Sequence, residues 1–173
     1  MKIRLAGLQN ETIVNGPGVR LAIFFQGCSH RCPGCQNPET HDPRGGEEVT
    51  MESLLDFIDH CSGLDGITFT GGEPFEQAVS AAALAGRIVR RGANLALYSG
   101  YTFEALVKKS LSDQNVRFLL EAGRLLIDGP FIQEEQDISL PYRGSRNQRI
   151  IDLPRSLKAG SAIEWAAEIS SGI

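Results

Sequence analysis

The sequence predicts an α/β fold on a mainly parallel sheet, and three observations carry that prediction. Apolar runs of strand length alternate with helical segments along most of the 173 residues, a βαβ rhythm. The segments between strands are long enough for right-handed crossovers, as in a doubly wound sheet or part of a βα-barrel. Every unusual motif follows directly on a predicted strand, and the carboxyl ends of strands are where parallel βα architectures gather function.

The first strand is "RLAIFFQ", Arg20 to Gln26, which ends at a cysteine-rich loop. "TMESLLDFIDHC" is a helix with Thr50 as N-cap and Glu52 in its first turn. "GITFT", Gly66 to Thr70, is the next strand, and an Ala-rich helix follows from about Glu76 to Arg91. "NLALYSG", Asn94 to Gly100, is a third strand, with a helix beginning near Thr102. A further helix covers "SDQNVRFLLEA", and Gly123 is placed to end it. "RLLIDG", Arg124 to Gly129, and "NQRIID", Asn147 to Asp152, complete the strands. Beyond Leu157 the pattern weakens, and a loosely packed tail is expected.

A chain with 42% hydrophobic and 22% charged residues suits one ordinary core, so a single domain is expected over 1–173, with its core at about 13–153 and a tail at 154–173. No apolar run approaches the roughly 20 residues that cross a bilayer, and "MKIRLAGLQN" has no signal-peptide core. A cytoplasmic protein that binds neither membrane nor nucleic acid is expected. The net charge of −4 agrees, because a general nucleic-acid surface is basic.

"GCSHRCPGCQNPET" places Cys28, Cys32 and Cys35 within eight positions. In a reducing compartment such thiols are metal ligands or catalytic groups more often than disulfides. Pro33 and Gly34 let the backbone turn so that the sulfurs converge. Zinc completed by His30, His41 or Cys61 is one reading and an ordinary loop another. Structural zinc sites usually pair two separate cysteine knuckles, and the sequence offers no second one. An iron-sulfur cubane held by three thiolates, with its fourth iron open, explains the number three. Cys61 recurs with Leu54, Leu55 and Ile58 at helical spacing, which marks a core thiol.

Three more motifs sit at strand ends: "GGEP" (Gly71 to Pro74), "SGY" (Ser99 to Tyr101) and "DGPF" (Asp128 to Phe131). Taken alone, "GGEP" is a tight strand-to-helix turn. Beside the cysteine loop it suggests a backbone approaching a ligand closely, with Glu73 able to receive a cationic amino group. Asp128 reads equally as a turn former before Gly129.

"GCSHRCPGC" with "TGGEP" downstream resembles the radical S-adenosylmethionine superfamily, and "NGPGVRLAIFFQGC" resembles its glycyl-radical-enzyme activases. "YSGYTFEAL", "LLIDGPFIQEEQD" and "LPYRGSRNQRII" are similar to segments of the anaerobic ribonucleoside-triphosphate reductase activating proteins, and the resemblance runs from Ile13 to Leu153. Gly34 departs from the pattern, since many superfamily members carry an aromatic residue before the last cysteine.

The resemblance implies a partial, open TIM-like βα-barrel and an oxidoreductase in which Cys28, Cys32 and Cys35 hold a 4Fe-4S cluster. S-adenosylmethionine would chelate the open iron, and its reductive cleavage would give a 5'-deoxyadenosyl radical that generates a glycyl radical on the reductase. Gly71, Gly72 and Glu73 would hold the methionine amino group, and Gly34, Cys35 and Gln36 would contact the nucleoside. Ser99 and Asp128 are candidates for the ribose and carboxylate side. No side chain is assigned a catalytic role, because the cofactors carry the chemistry. The implied partners are the reductase and a flavodoxin or similar electron donor, with a homodimer as an assembly to test. Arg143, Arg146 and Arg149 crowd into seven residues and suggest a docking patch. Activation of a pyruvate formate-lyase-type enzyme, other radical chemistry on a protein or peptide, and a noncatalytic zinc or electron-carrier module are the alternatives.

Overall fold

A computed structural model describes residues 1–166. Seven strands form one sheet: β1 (Lys2–Thr12), β2 (Arg20–Phe25), β3 (Glu47–Thr50), β4 (Gly66–Gly71), β5 (Asn94–Tyr98), β6 (Leu125–Asp128) and β7 (Arg149–Asp152). Their spatial order is β3-β1-β2-β4-β5-β6-β7. The central β2, β4, β5 and β6 are mutually parallel. At one flank β1 runs antiparallel to β2 and β3, and at the other β7 runs antiparallel to β6.

Five α-helices accompany the sheet: α1 (Met51–His60), α2 (Ala78–Arg90), α3 (Phe103–Ser110), α4 (Gln114–Ala122) and α5 (Leu153–Ala159). Four begin on side-chain caps: Thr50 accepts from Ser53 N, Thr102 from Ala105 N, Asp113 from Asn115 N and Val116 N, and Asp152 from Arg155 N. Their apolar faces form one core with alternate strand residues, among them Leu21, Ile23, Phe25, Phe69, Leu97 and Leu126. The intervening residues point to the other face, where Ala96, Leu125, Ile127 and Ile150 are covered by Tyr98, Tyr142 and Trp165. Helices in one layer distinguish an open piece of βα-barrel from a doubly wound sheet, which carries them on both faces.

The two strands without a sequence prediction, β1 and β3, lie on one flank. Only Ile3, Leu5 and Thr12 of β1 are buried, its pairing to β2 slips register twice, and β3 is four mostly exposed residues. Edge strands of this kind carry little apolar signal. Gly123 does end α4, but in extended conformation (φ −75). A Cβ there would lie 2.5 Å from Leu153 and 2.8 Å from Leu97, so close packing requires glycine. The tail is better anchored than its sequence suggests: Asp152 N donates to Ile163 O, and Trp165 N to Ile150 O. Residues 167–173 of that tail lie outside the described residues.

Candidate active site

The four motif-bearing loops leave β2, β4, β5 and β6 side by side, because parallel neighbours place their carboxyl ends along one edge. The cysteine loop is closed at its base. Gly27 N donates to Thr40 O and Cys28 N to His41 O, while buried Gln26 donates through Nε2 to Glu39 O and Asp42 O. Gln77 fastens this base to β1, donating to both Arg4 O and Gln26 O.

The "GGEP" turn is bolted to the cysteine loop. Gly72 N donates to Phe25 O and Glu73 N to Gly27 O, each at 2.8 Å. The glycines serve this contact: Gly71 adopts φ 88, and a Cβ on Gly72 would collide with the Gly27 carbonyl. The close approach is therefore of backbone to backbone, while both glycines also line the cleft. Glu73 is fully buried and acts as a hub. Its Oε2 accepts from Ser99 Oγ and Gly100 N, both at 2.9 Å, and lies 3.1 Å from His30 Nε2, while Oε1 accepts from Phe75 N. Three strand-end loops thus meet on one carboxylate. The same contact raises the His30 pKa and engages its Nε2. His30 packs edge-on against Tyr101, with ring centroids 4.4 Å apart.

A cleft of about 610 Å³ opens over these loops. Cys28, Cys32, Cys35, Gln36, Gly71, Gly72 and Ser99 line it together. Gly34 does not; it adopts φ 71 and packs against Gln133. Asp128 is 1% exposed and stands behind the cleft wall. Its carboxylate accepts from Phe103 N at 2.7 Å and from two Arg149 nitrogens, with Glu104 holding Arg149 from the other side. Cys61 lines a separate cavity at the amino ends of β4 and β5, so the structure keeps it apart from the other thiols.

The expected basic patch divides. Arg146 pairs with Asp137, and Arg149 with Asp128 and Glu104. Arg143 instead lines the cleft, donating through Nη1 to Gln148 O at 2.8 Å while its buried Nε has no partner among the described residues. Sequence reasoning also missed Phe131, Tyr98, Tyr142 and Gln148, which line the same cleft as the cysteines. Gln148 accepts from Gly144 N and Ser145 N and donates to Gly129 O, and Tyr98 Oη donates to Tyr142 O at 2.6 Å. Phe131 places an aromatic ring in the cleft that holds Gln36, where position 34 has none.

The residues present fit an iron-sulfur cluster. The three thiols are unpaired, half-buried and share one cleft. Three thiolates with no fourth in the cleft are the donor set of a cubane whose fourth iron is left open. Burial pushes the Cys28 and Cys35 thiols up, so loading the cluster must displace their protons. The polar backbone turns, the aromatic ring and the cationic Arg143 suit a nucleoside ligand with an anionic end.

Comparison with known proteins agrees. Residues 14–151 match a family model described as a 4Fe-4S single cluster domain. An anaerobic ribonucleoside-triphosphate reductase-activating protein of Vibrio cholerae is 35% identical over 148 residues, covering 80% of this chain and 90% of that one. Proteins of the same description from Escherichia coli K12 and Enterobacteria phage T4 are each 33% identical, over 79% of this chain and 90% and 86% of theirs. Among solved structures, QueE from Escherichia coli shares the fold at a TM-score of 0.50 and 18% identity, over 59% of this chain and 54% of that chain. With 33–35% identity to these relatives sustained along most of its length, and a 4Fe-4S single cluster domain matched over residues 14–151, the chain belongs to the family of anaerobic ribonucleoside-triphosphate reductase-activating proteins.

Proposed function

We propose that this protein is a radical S-adenosylmethionine activase that generates a glycyl radical on an anaerobic ribonucleoside-triphosphate reductase. The observation that carries the reading is the shared cleft: three thiols with no fourth, facing the Gly71–Gly72 and Ser99–Gly100 turns at the ends of parallel strands. Cys28, Cys32 and Cys35 hold the 4Fe-4S cluster, and the lack of a fourth thiol leaves one iron for S-adenosylmethionine. When bound, the reduced cluster supplies one electron that splits S-adenosylmethionine into methionine and a 5'-deoxyadenosyl radical, which takes one hydrogen atom from a reductase glycine.

The chain's own residues bind, orient and exclude water. Gly71 and Gly72 offer backbone groups to the methionine amino end, and Glu73 holds that turn against the Ser99–Gly100 turn from beneath. Cys35 and Gln36 line the nucleoside side, with Gly34 shaping their turn. Ser99 reaches the cleft wall, whereas Asp128 acts through Arg149 and the start of α3. Arg143 is placed to neutralise the carboxylate end, since its guanidinium has no acidic partner among the described residues. A flavodoxin-type protein delivers the electron, and a homodimer is the assembly to test by sedimentation. No helix among the described residues is long and apolar enough to cross a membrane.

Anaerobic reconstitution tests the reading. The expected product is a brown protein with about four irons per chain that, once chemically reduced, cleaves S-adenosylmethionine and produces a glycyl-radical resonance on the reductase. A colourless zinc protein that leaves S-adenosylmethionine intact overturns it.

A further inference from the structure

Two apolar loop tips flank the mouth of the cleft. One is Ile13 and Val14, between β1 and β2; the other is Ile138, with Leu140 and Pro141, between β6 and β7. Ile13, Val14 and Ile138 are 68%, 66% and 94% exposed, yet all line the cleft that holds the three cysteines. Exposed apolar side chains scattered singly are ordinary, but two sets facing one opening mark a contact surface.

Neither tip is a loose loop. Behind Val14, Asn15 Oδ1 accepts from Thr12 Oγ1 at 2.8 Å, and its carbonyl accepts from Thr68 Oγ1 at 2.7 Å. Arg20 is 1% exposed, its charge held down to about pKa 10 by burial. It donates to Pro17 O, Ile67 O and Thr68 Oγ1, fixing this loop to β4. On the other side Asp137 accepts from Ser139 N and Oγ and from Arg146 Nε, while its own N–H donates to Gly144 O. Arg146, expected in a partner-binding patch, is thus used to hold the Ile138 turn. Apolar groups held rigidly in water gain nothing for the free protein and lose little freedom when a partner covers them.

We infer that the two tips form a grip for an extended segment of the reductase, holding apolar side chains that neighbour the reacting glycine. The inference rests on the activase reading and names what that site recognises. The occupant follows from continuity with the cleft: the reacting glycine has no side chain, so its backbone must descend between the tips. A helix about 10 Å or more across brings its own side chains ahead of that backbone. An extended strand is slimmer and directs successive side chains to opposite sides, toward both walls.

Val14→Asp and Ile138→Asp, singly and together, test this with the reconstituted protein and its intact reductase. Both positions are exposed enough that folding survives. Leu111→Asp, 85% exposed on the turn between α3 and α4, is the control. Cleavage of S-adenosylmethionine by chemically reduced protein without reductase should match wild type in every variant. The reductase concentration giving half-maximal glycyl radical should rise about tenfold for each tip variant, remain unchanged for Leu111→Asp, and not rise with added salt in the wild type. Unchanged half-saturation in the double variant overturns the grip, and so does a steep weakening with salt, which would place recognition on charge. Loss of cleavage in the tip variants alone also overturns it, by assigning the tips to the cofactor. A wild type that cleaves no S-adenosylmethionine refutes the activase reading itself, so the two failures are distinct.

Discussion

Cys61 and the three loop cysteines are all half-exposed thiols, and only their position separates them. Cys61 caps the end of α1 and donates its thiol hydrogen to Phe57 O, at the end of the sheet opposite the cleft. Cys28→Ser, Cys32→Ser and Cys35→Ser should each abolish stable iron incorporation and S-adenosylmethionine cleavage, whereas Cys61→Ser keeps both near wild type. Iron analysis after anaerobic reconstitution checks this, and loss of iron in Cys61→Ser would break the three-thiol assignment. Glu73 has the opposite character: a carboxylate that no solvent reaches, defined by its donors. Glu73→Ala leaves Phe75 N, Ser99 Oγ and Gly100 N without an acceptor inside the protein. With charge-assisted bonds contributing about 1.5–3 kcal/mol each, the variant should lose about 3 kcal/mol or more of stability. Glu73→Gln should lose less, because it keeps one carbonyl oxygen. Denaturant unfolding of both variants measures the difference, and an unshifted midpoint in Glu73→Ala would contradict the hub.

Between elements, the Asp128–Arg149–Glu104 chain ties β6, β7 and α3 together just behind the cleft wall. Arg149→Ala leaves Asp128 buried with only Phe103 N as donor. Breaking such a pair from one side costs about 3–5 kcal/mol when fully buried; Arg149 is 31% exposed, so about 2 kcal/mol is expected at neutral pH. The pair also shapes acid stability. Hydrogen bonding to Arg149 holds the Glu104 carboxyl below its ordinary value of 4.5. A depressed carboxyl pKa stabilises the fold above the unfolded value, and that contribution disappears as pH falls through the folded value. The wild type should therefore lose more stability than Arg149→Ala between about pH 5 and pH 3, by a modest margin because Glu104 is 58% exposed. Melting temperatures across that range give the comparison, and parallel profiles would detach Glu104 from the pair.

Across the whole molecule, helices cover one face of the sheet while the other face supplies the cleft and a small apolar patch. Trp165, whose backbone N–H donates to Ile150 O at 2.7 Å, packs against that patch together with Tyr98 and Tyr142. Trp165→Ala should cost about 1–3 kcal/mol, below the 3–5 kcal/mol typical of a fully buried tryptophan because this one is half-buried. Iron content per folded chain should stay the same. Urea unfolding followed by circular dichroism measures the loss, and an unchanged midpoint would show that the tail adds no stability. Among the described residues the sheet stays open, with β3 at one flank and the tail paired to β7 at the other.

The sequence by itself determined the central strands and the capped helices, and it singled out the three loop thiols as candidate ligands. These follow from local chemistry: apolar runs, Thr50 and Thr102 as caps, and three thiols on a turning loop. Family likeness carried the functional reading further than spacing alone could. Only the tertiary structure decided which face the helices cover, and it decided what the remaining polar residues do. Asp128 and Ser99 stand at equivalent strand ends in the sequence, yet one is enclosed by Arg149 and the other faces the cleft. Arg143, Arg146 and Arg149 are near-neighbours in one basic segment, and partners more than 40 residues away or across a turn give each a different task. Such roles depend on which groups desolvate together, and desolvation is a property of the packed chain that no local stretch of sequence contains.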